Sequence, residues 1–593
     1  MPSEFNAYFV LIVLLVIFFL IYKEILKPAL SFLIAVLIFT ITGILDTREV
    51  LAGFSNSSIV SIILLIVISS GLRKNFQLEL LFDFIFKKSK TYRSFLMRMM
   101  SQVAIISAFI NNTPVVALMT PYVFNYGRKN GIAPSKLLIP LSYATIMGGM
   151  ITLIGTSTTL VLNGFIKAAT DHELMFHDLF ILGLGVTITG ILFIAFIGHR
   201  ILPNRSDSLQ EFSKNYRQYM LETRLTNRSS LIGKSVREAG LRNLQGVYLV
   251  EIMRNGNFIA PVYPEEIILK EDVLIFAGDT DNIMDLINTG KGIILPDKAS
   301  EYHQDKIEVI EAVVSSYTPM IGKTVKEADF RKRYDAAIIA IHRNGEKLTG
   351  KIGEIEIHPS DVLLLYTGKD FQNRIDLHRD LFVINKVREI TEPGRKKYYA
   401  LALILICAMV LLITKGLALF PSLLIIFTMM AIFGLIGISD VRREIDFNLV
   451  GILVLSLAIG QAMILSGAGQ LVADWIIDLI APFGRIALLI GIMLITAILT
   501  SFIVNVGAIS ITFPISLSLC QILGMDPMPF FLGIAYAASG AFLTPIGYQT
   551  NMIIYGPGGY RFADFLKIGL PVTIIYLSVT VGGILLLYHH EFM

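Results

Sequence analysis

The stretch AIISAFINNTPVVALMTP, residues 104–121, aligns without a gap to AILTSFIVNVGAISITFP, residues 497–514. Phe109 meets Phe502, Asn112 meets Asn505 and Pro121 meets Pro514. Each copy lies in an apolar run, 94–126 and 486–523, that is too long for the about 20 residues of one simple span. Short loops rich in Lys and Arg stay on the cytoplasmic side of a membrane. Arg73, Lys74, Lys87, Lys88, Lys90 and Arg93 precede the first run, and Arg128, Lys129 and Lys136 follow it. A run that begins and ends inside is a re-entrant hairpin. The second run follows Asp474, Asp478 and only Arg485, and leads into Gly524-Met525-Asp526-Pro527, which has no base. That hairpin enters from outside. Two homologous halves of opposite orientation are the inverted-repeat architecture of secondary transporters.

Composition agrees. The 593 residues are 54 % hydrophobic and only 16 % charged, against about 25 % charged in soluble proteins. Of the 96 charged side chains, 58 lie between Asn204 and Lys397, leaving 38 for the other 399 residues. The chain therefore divides into an apolar repeat (1–203), a soluble pair (204–300 and 301–397) and a second apolar repeat (398–593). Disordered, disulfide-rich secreted and nucleic-acid-binding classes are excluded. Cys407 and Cys520 stand alone in apolar runs and read as small buried hydrophobes. The run 5–22 lacks a basic flank and a cleavage site, so it reads as a retained span.

Further apolar runs fall near 29–45, 57–72, 137–169 and 177–198, then 399–416, 419–437, 447–465, 527–558 and 566–588. Lys23 and Lys27, Arg442 and Arg443, and Arg561 and Lys567 mark inside loops. The expected protein is thus a polytopic α-helical protein of the cell membrane with both termini outside. Arg200, Arg205, Arg395, Lys396 and Lys397 flank the soluble block and put it in the cytoplasm.

After each hairpin comes a helix interrupted at mid-depth: TIMGGMITLIGTSTTLVLNG (145–164) and ASGAFLTPIGYQTNMIIYGPGG (538–559). Clustered Gly, Thr, Ser and Pro free backbone groups, which in lipid must be paired or line a cavity. A single kink of this kind eases packing; two in corresponding places beside Asn-bearing hairpins point to a binding site. No ionisable residue lies between Lys136 and Lys167, or between Asp526 and Arg561. A proton relay needs a titratable group, so it is disfavoured. Freed carbonyls suit Na⁺ and helix N-termini suit an anion. The expectation is an anion carrier coupled to Na⁺, with no other cofactor.

These hairpins, the IGTST break (154–158) and above all TPIGYQTNMIIYGPGGYRF (544–562) resemble the divalent anion:Na⁺ symporter family. The resemblance spans the chain, and within the family it is nearest the branch with inserted TrkA-C (RCK C-terminal) domains often associated with sulfate. The family's Ser-Asn-Thr hairpin tips fall on Asn111-Asn112-Thr113 and Val504-Asn505-Val506. By that carry-over one Na⁺ site comprises Ser107, Asn111, Asn112 and the Gly155 carbonyl. The other comprises Thr500, Asn505 and the Gly547 carbonyl. The anion sits near Asn111, Asn112, Thr113, Thr156, Asn505, Gly507 and Tyr548. Two departures stand out: the second tip has lost both hydroxyls to valine, and Thr159 replaces the family's usual Asn. A small tetrahedral oxyanion needs fewer contacts than a long dicarboxylate, so sulfate is favoured, with a succinate-type dicarboxylate as the alternative. The resemblance also implies a homodimer in the bilayer.

The soluble block has its own repeat. LIGKSVREAGLR (231–242) matches MIGKTVKEADFR (320–331), and RNG at 254–256 matches RNG at 343–345. Asp272 and Asp361 also correspond. Each unit alternates β-rich runs (Val247–Ile252 and Val273–Phe276; Ala337–Ile341 and Val362–Tyr366) with an expected short helix after Ile-Gly-Lys, and each resembles a TrkA-C domain. Such a pair implies either a cytosolic regulatory ligand or a passive dimerisation module. TrkA-C domains also serve potassium systems, so a gated cation channel competes, but no Thr-Val-Gly-Tyr-Gly filter is present. An enzyme would need a nucleophile with its base, or metal ligands, in the spans, and neither occurs there.

Overall fold

A chain in hydrocarbon must satisfy its own backbone groups, and helices do so locally. The computed structural model describes residues 4–22, 25–26, 28–75, 91–170, 172–205, 220–241, 244, 247–255, 257–259, 262–278, 291–294, 309–315, 318–343, 346–348, 352–368, 370–378, 380–384, 419–438, 440–441, 445 and 447–592. The first block folds as Glu4–Tyr22, Pro28–Ile41, Ser57–Asn75, the paired arms Tyr92–Ser107 and Asn112–Lys129, the interrupted pair Leu138–Gly149 and Ser157–Ala169, and Phe176–Phe196. The second runs Leu419–Ile432, Phe447–Leu465, arms Arg485–Phe502 and Asn505–Leu523, the interrupted pair Met528–Ser539 and Gln549–Tyr555, and Phe562–Leu587. Seven helical segments among the described residues are long and apolar enough to cross a membrane. The chain is a mostly helical, multi-pass membrane protein. The expected span at 399–416 lies outside the described residues, as does Cys407. Cys520 is a buried free thiol. Helices Thr47–Ala52 and Ala468–Ile480 were not expected. The first is only six residues long and leads into Ser57–Asn75 as the start of the apolar segment Thr47–Gly71. The second carries Asp474 and Asp478 within 13 residues and is too short to span.

The blocks interlock. Pro28–Ile41 packs on Phe447–Leu465, and Leu419–Ile432 packs on Ser57–Asn75. The hairpin arm Asn112–Lys129 packs on Gln549–Tyr555, and Asn505–Leu523 packs on Ser157–Ala169. Every one of these pairs joins the two blocks.

The two hairpin bases have different neighbours. At the first, Tyr92 Oη donates to the Lys136 carbonyl (3.0 Å) and Tyr560 Oη donates to that of Ser135 (2.6 Å). At the second, Arg485 donates to the Glu591 carbonyl (2.9 Å) and the Asp526 amide to the Glu591 carboxylate (3.3 Å). Phe562–Leu587, 26 residues and so about 39 Å at the α-helical rise, separates Tyr560 from Glu591.

The soluble block holds two five-stranded antiparallel sheets. The first is built from β1 Met220–Leu225, β2 Val247–Arg254, β3 Asn257–Ile259, β4 Val273–Gly278 and β5 Ile293–Ile294. The second uses β6 Val309–Val314, β7 Ala336–Arg343, β8 Glu346–Lys347, β9 Val362–Thr367 and β10 Leu381–Val383. The orders β3-β2-β4-β1-β5 and β8-β7-β9-β6-β10 are the same topology. The matched sequence positions make matched ion pairs, Arg254–Asp272 (2.9 Å) and Arg343–Asp361 (2.8 Å). The expected short helix appears only in the second unit, as Phe330–Tyr334 just before β7, and not among the described residues of the first. Directly after Ile-Gly-Lys both units make turns. Left-handed Gly233 and Gly322 turn the chain there, and Ser235 and Thr324 bridge to Ile267 and Glu356. The carboxylates that look like helix caps, Glu238 and Glu327, close single turns on Ser235 and Thr324.

Candidate functional site

Both hairpins turn over at a tip where a new helix begins, and both interrupted helices restart beside those tips. Four helix starts meet there: Asn112, Ser157, Asn505 and Gln549 are the first residues of their helices. Asn111 caps the first by accepting from the Thr113 amide (3.5 Å), and Thr156 caps the second by accepting from that of Thr158 (3.4 Å).

The cross-block packing joins these starts into one polar path. Ser107 Oγ lies 2.5 Å from the Asn112 amide, whose other end is 2.7 Å from Tyr548 Oη. Tyr548 reaches Thr156 Oγ1 (3.1 Å), which donates to Thr158 Oγ1 (3.3 Å). The Asn505 amide donates to Thr158 (3.3 Å), and its oxygen accepts from Thr500 Oγ1 (2.8 Å). Thr113 adds a branch, donating to Gln549 Oε1 (3.0 Å). Ser107, Asn112, Thr156, Thr158 and Thr500 are buried. Buried polar groups are costly unless bonded, and this path bonds them to one another.

The two tips match in detail. Ser107 Oγ donates to the Thr145 carbonyl (2.9 Å), and Thr500 Oγ1 donates to that of Ala538 (2.7 Å). Glycine is required where each break meets its tip. A Cβ at Gly155 would lie 2.7 Å from the Ser107 carbonyl oxygen, and one at Gly547 2.8 Å from that of Thr500. The Asn112 amide has two arrangements. With NH₂ toward Ser107 Oγ (2.5 Å), Thr145 O (3.0 Å) and Gly155 O (3.3 Å), its oxygen accepts from Tyr548 and every group is satisfied. Turned over, its oxygen faces those three oxygens, an acceptor-rich shell that suits a cation.

Among the sequence-predicted residues, Ser107, Asn112, Thr113, Gly155, Thr156, Thr500, Asn505, Gly547 and Tyr548 come together. Asn111 acts locally as a cap. Gly507 is turned away: a Cβ there would face Phe32 and Phe18. Thr158, Gln549, Ser142 and Asn551 were missed. Ser142 Oγ donates to Asn551 Oδ1 (2.7 Å), and Asn551 donates to the Ala541 (2.8 Å) and Thr544 (3.2 Å) carbonyls. It thereby braces the second break, as Thr159, bonded to the Leu153 (3.2 Å) and Thr156 (3.0 Å) carbonyls, braces the first. For Thr158, Gln549 and Asn551, position in the first turn of a restarted helix was the available signal; Ser142, in the first half of its pair, had none.

A multi-pass helical molecule with an uncharged polar path between two hairpin tips has the layout of a membrane transporter, and comparison with known proteins gives that class. The citrate transporter family matches residues 10–422 and 408–593, and the chain belongs to that family. It is 31 % identical to a protein of Chlamydomonas reinhardtii named as a sulfur deprivation response regulator, over 91 % of this chain and 94 % of that one. It is also 31 % identical to an uncharacterized transporter of Synechocystis sp., over 94 % and 93 %. Sodium/sulfate cotransporter 1 of Chlamydomonas reinhardtii is 28 % identical over 55 % of this chain and 39 % of its own length.

Proposed function

We propose that the chain is a secondary active transporter that carries a small divalent anion, sulfate, together with Na⁺ by alternating access. The observation that carries this is the convergence of helix N-termini on a path without charge. Helices of 18, 13 and 19 residues start at Asn112, Ser157 and Asn505. Each N-terminus is equivalent to about +0.5 elementary charge. Three together fall short of neutralising a dianion, and the first nine residues of each helix hold no Lys or Arg; Lys167, Arg128 and Lys129 lie at the far ends. Co-bound cations supply the remainder. Ser107, Asn112, Thr145 O and Gly155 O form the first Na⁺ site, and Thr500, Asn505, Ala538 O and Gly547 O form the second. Asn112, Thr113, Thr156, Thr158, Asn505, Tyr548 and Gln549 face the anion. The relative named as a sodium/sulfate cotransporter supports both coupling ion and substrate.

The hairpin bases support the inverted-repeat reading. One neighbours Tyr560, the other Glu591, with a 26-residue helix between them. The shared sheet topology supports a pair of TrkA-C domains within 204–300 and 301–397, between membrane repeats 1–203 and 398–593. The soluble block's contacts with the Tyr560 end support a cytoplasmic position for it, with the termini outside. The family resemblance adds a homodimer.

The test is uptake of radiolabelled sulfate, succinate and citrate by proteoliposomes under a Na⁺ or a proton gradient. Sulfate uptake driven by Na⁺ is expected. Uptake driven by protons alone sinks the coupling, and preference for succinate or citrate sinks the substrate. Asn112→Ala and Asn505→Ala each abolish uptake while the protein keeps its gel-filtration profile.

A further inference from the structure

Gln549–Tyr555 begins at the site and ends against the soluble block. Ser360 Oγ, in the turn before β9, donates to the Met552 carbonyl (2.8 Å). A Cβ on Gly556 would lie 2.2 Å from the Ser360 carbonyl oxygen and 2.7 Å from Val362 Cγ2. Arg561 pairs with Glu346 at 2.8 Å. Val313, Val362 and Ile384 of the second sheet are buried in the same apolar cluster as the membrane helices.

This docking is not a general property of the soluble repeat. Ser360 is buried and left-handed, with φ of 65°. Its counterpart 89 residues earlier is Glu271, which has φ of 74° and is exposed. The backbone turn is common to both domains, but only the second ends it in a small side chain that fits beneath a membrane helix.

We propose that the second soluble domain clamps the helix that carries Gln549 and adjoins Tyr548, making Ser360 and Gly556 positioning residues for the substrate site. The proposal rests on the transporter reading. A seven-residue helix is far below the length that is stable in isolation, so what it packs on sets its position. Met552 is about one turn, about 6 Å, from Tyr548. A shift of the domain therefore reaches the Thr113–Gln549 and Asn112–Tyr548 bonds with little intervening chain to absorb it. The soluble block thus sets turnover by holding or releasing one wall of the site.

The test uses the full chain in proteoliposomes. Ser360→Ala removes the donor; Ser360→Asn keeps a donor and tolerates the left-handed backbone; Gly556→Ala wedges the contact apart. We expect amide exchange across 549–555 to rise about tenfold in the Ala variants, the measure of one lost hydrogen bond. Maximal uptake should change severalfold, half-saturating Na⁺ should stay near the parent value, and Ser360→Asn should restore both exchange and rate. Parent-like exchange and rate in Gly556→Ala, or failure of Asn to outperform Ala, overturns the clamp. Cross-linking Glu346→Cys to Arg561→Cys, with Cys407 and Cys520 replaced, should arrest uptake reversibly; normal turnover of the linked protein also overturns it. A parent that imports no sulfate sinks the substrate reading, and the exchange experiment still decides the clamp.

Discussion

Asn112 serves two neighbours with one amide. Its two ends face the Ser107 shell and Tyr548, so an ion in the shell would fix which end meets the proposed anion site. Ser107→Ala removes one oxygen from that shell. Half-saturating Na⁺ should rise about tenfold, as expected for one lost polar contact of about 1.4 kcal/mol, with a smaller effect on maximal rate in uptake titrations. Gly155→Ala and Gly547→Ala should each reduce uptake to background, because a methyl meets a hairpin-tip carbonyl inside contact distance; normal uptake by either would show that the breaks do not depend on that approach. Ser107, Asn112, Thr500 and Asn505 were legible because two aligned copies exposed them. Thr158 and Gln549 were not, since their partners come from the opposite block and no local pattern announces a contact more than 300 residues away.

Each interrupted helix gives its second half a free N-terminus while the first half anchors it. The sequence displayed the breaks, since Gly, Thr and Pro interrupt apolar runs visibly, but not the bracing by Asn551 and Thr159. The turn after Ile-Gly-Lys was misread for a related reason: Ser-Val-Arg-Glu and Thr-Val-Lys-Glu look like helix caps, and the left-handed glycines before them lead into single turns instead. Strand β7 carries its own pH sensitivity. Burial, and secondarily the Lys347 ammonium, push His342 down to about 4 from an ordinary 6.5. The unfolded state binds the extra proton between those values, so stability falls as pH drops from about 6.5 toward 4, by at most about 3 kcal/mol. Protease susceptibility of the 309–384 segment in the full chain should be higher at pH 5 than at pH 7. In His342→Phe that difference should shrink; an undiminished difference would assign the effect to another group.

At the scale of the whole molecule, the two halves cannot be pulled apart without dismantling the site. The second arm of each hairpin packs on the restarted helix of the other block, so a motion of one block against the other reshapes both walls of the path. The proposed opposite orientation of the halves has a direct readout. In a background lacking Cys407 and Cys520, Asn130→Cys should react with an impermeant maleimide only from the cytoplasmic face, and Phe483→Cys only from the outside. Labelling of both from one side would defeat the inverted topology. The absence of Asp, Glu, His, Lys and Arg along residues 137–166 and 527–560 also has an electrical consequence. Moving one elementary charge through a membrane potential is worth about 2.3 kcal/mol per 100 mV. Because these segments contribute no titratable charge of their own, the current in a transport cycle should report the cargo alone. Two Na⁺ per dianion would make that cycle electrically silent, and a third would let the membrane voltage drive accumulation.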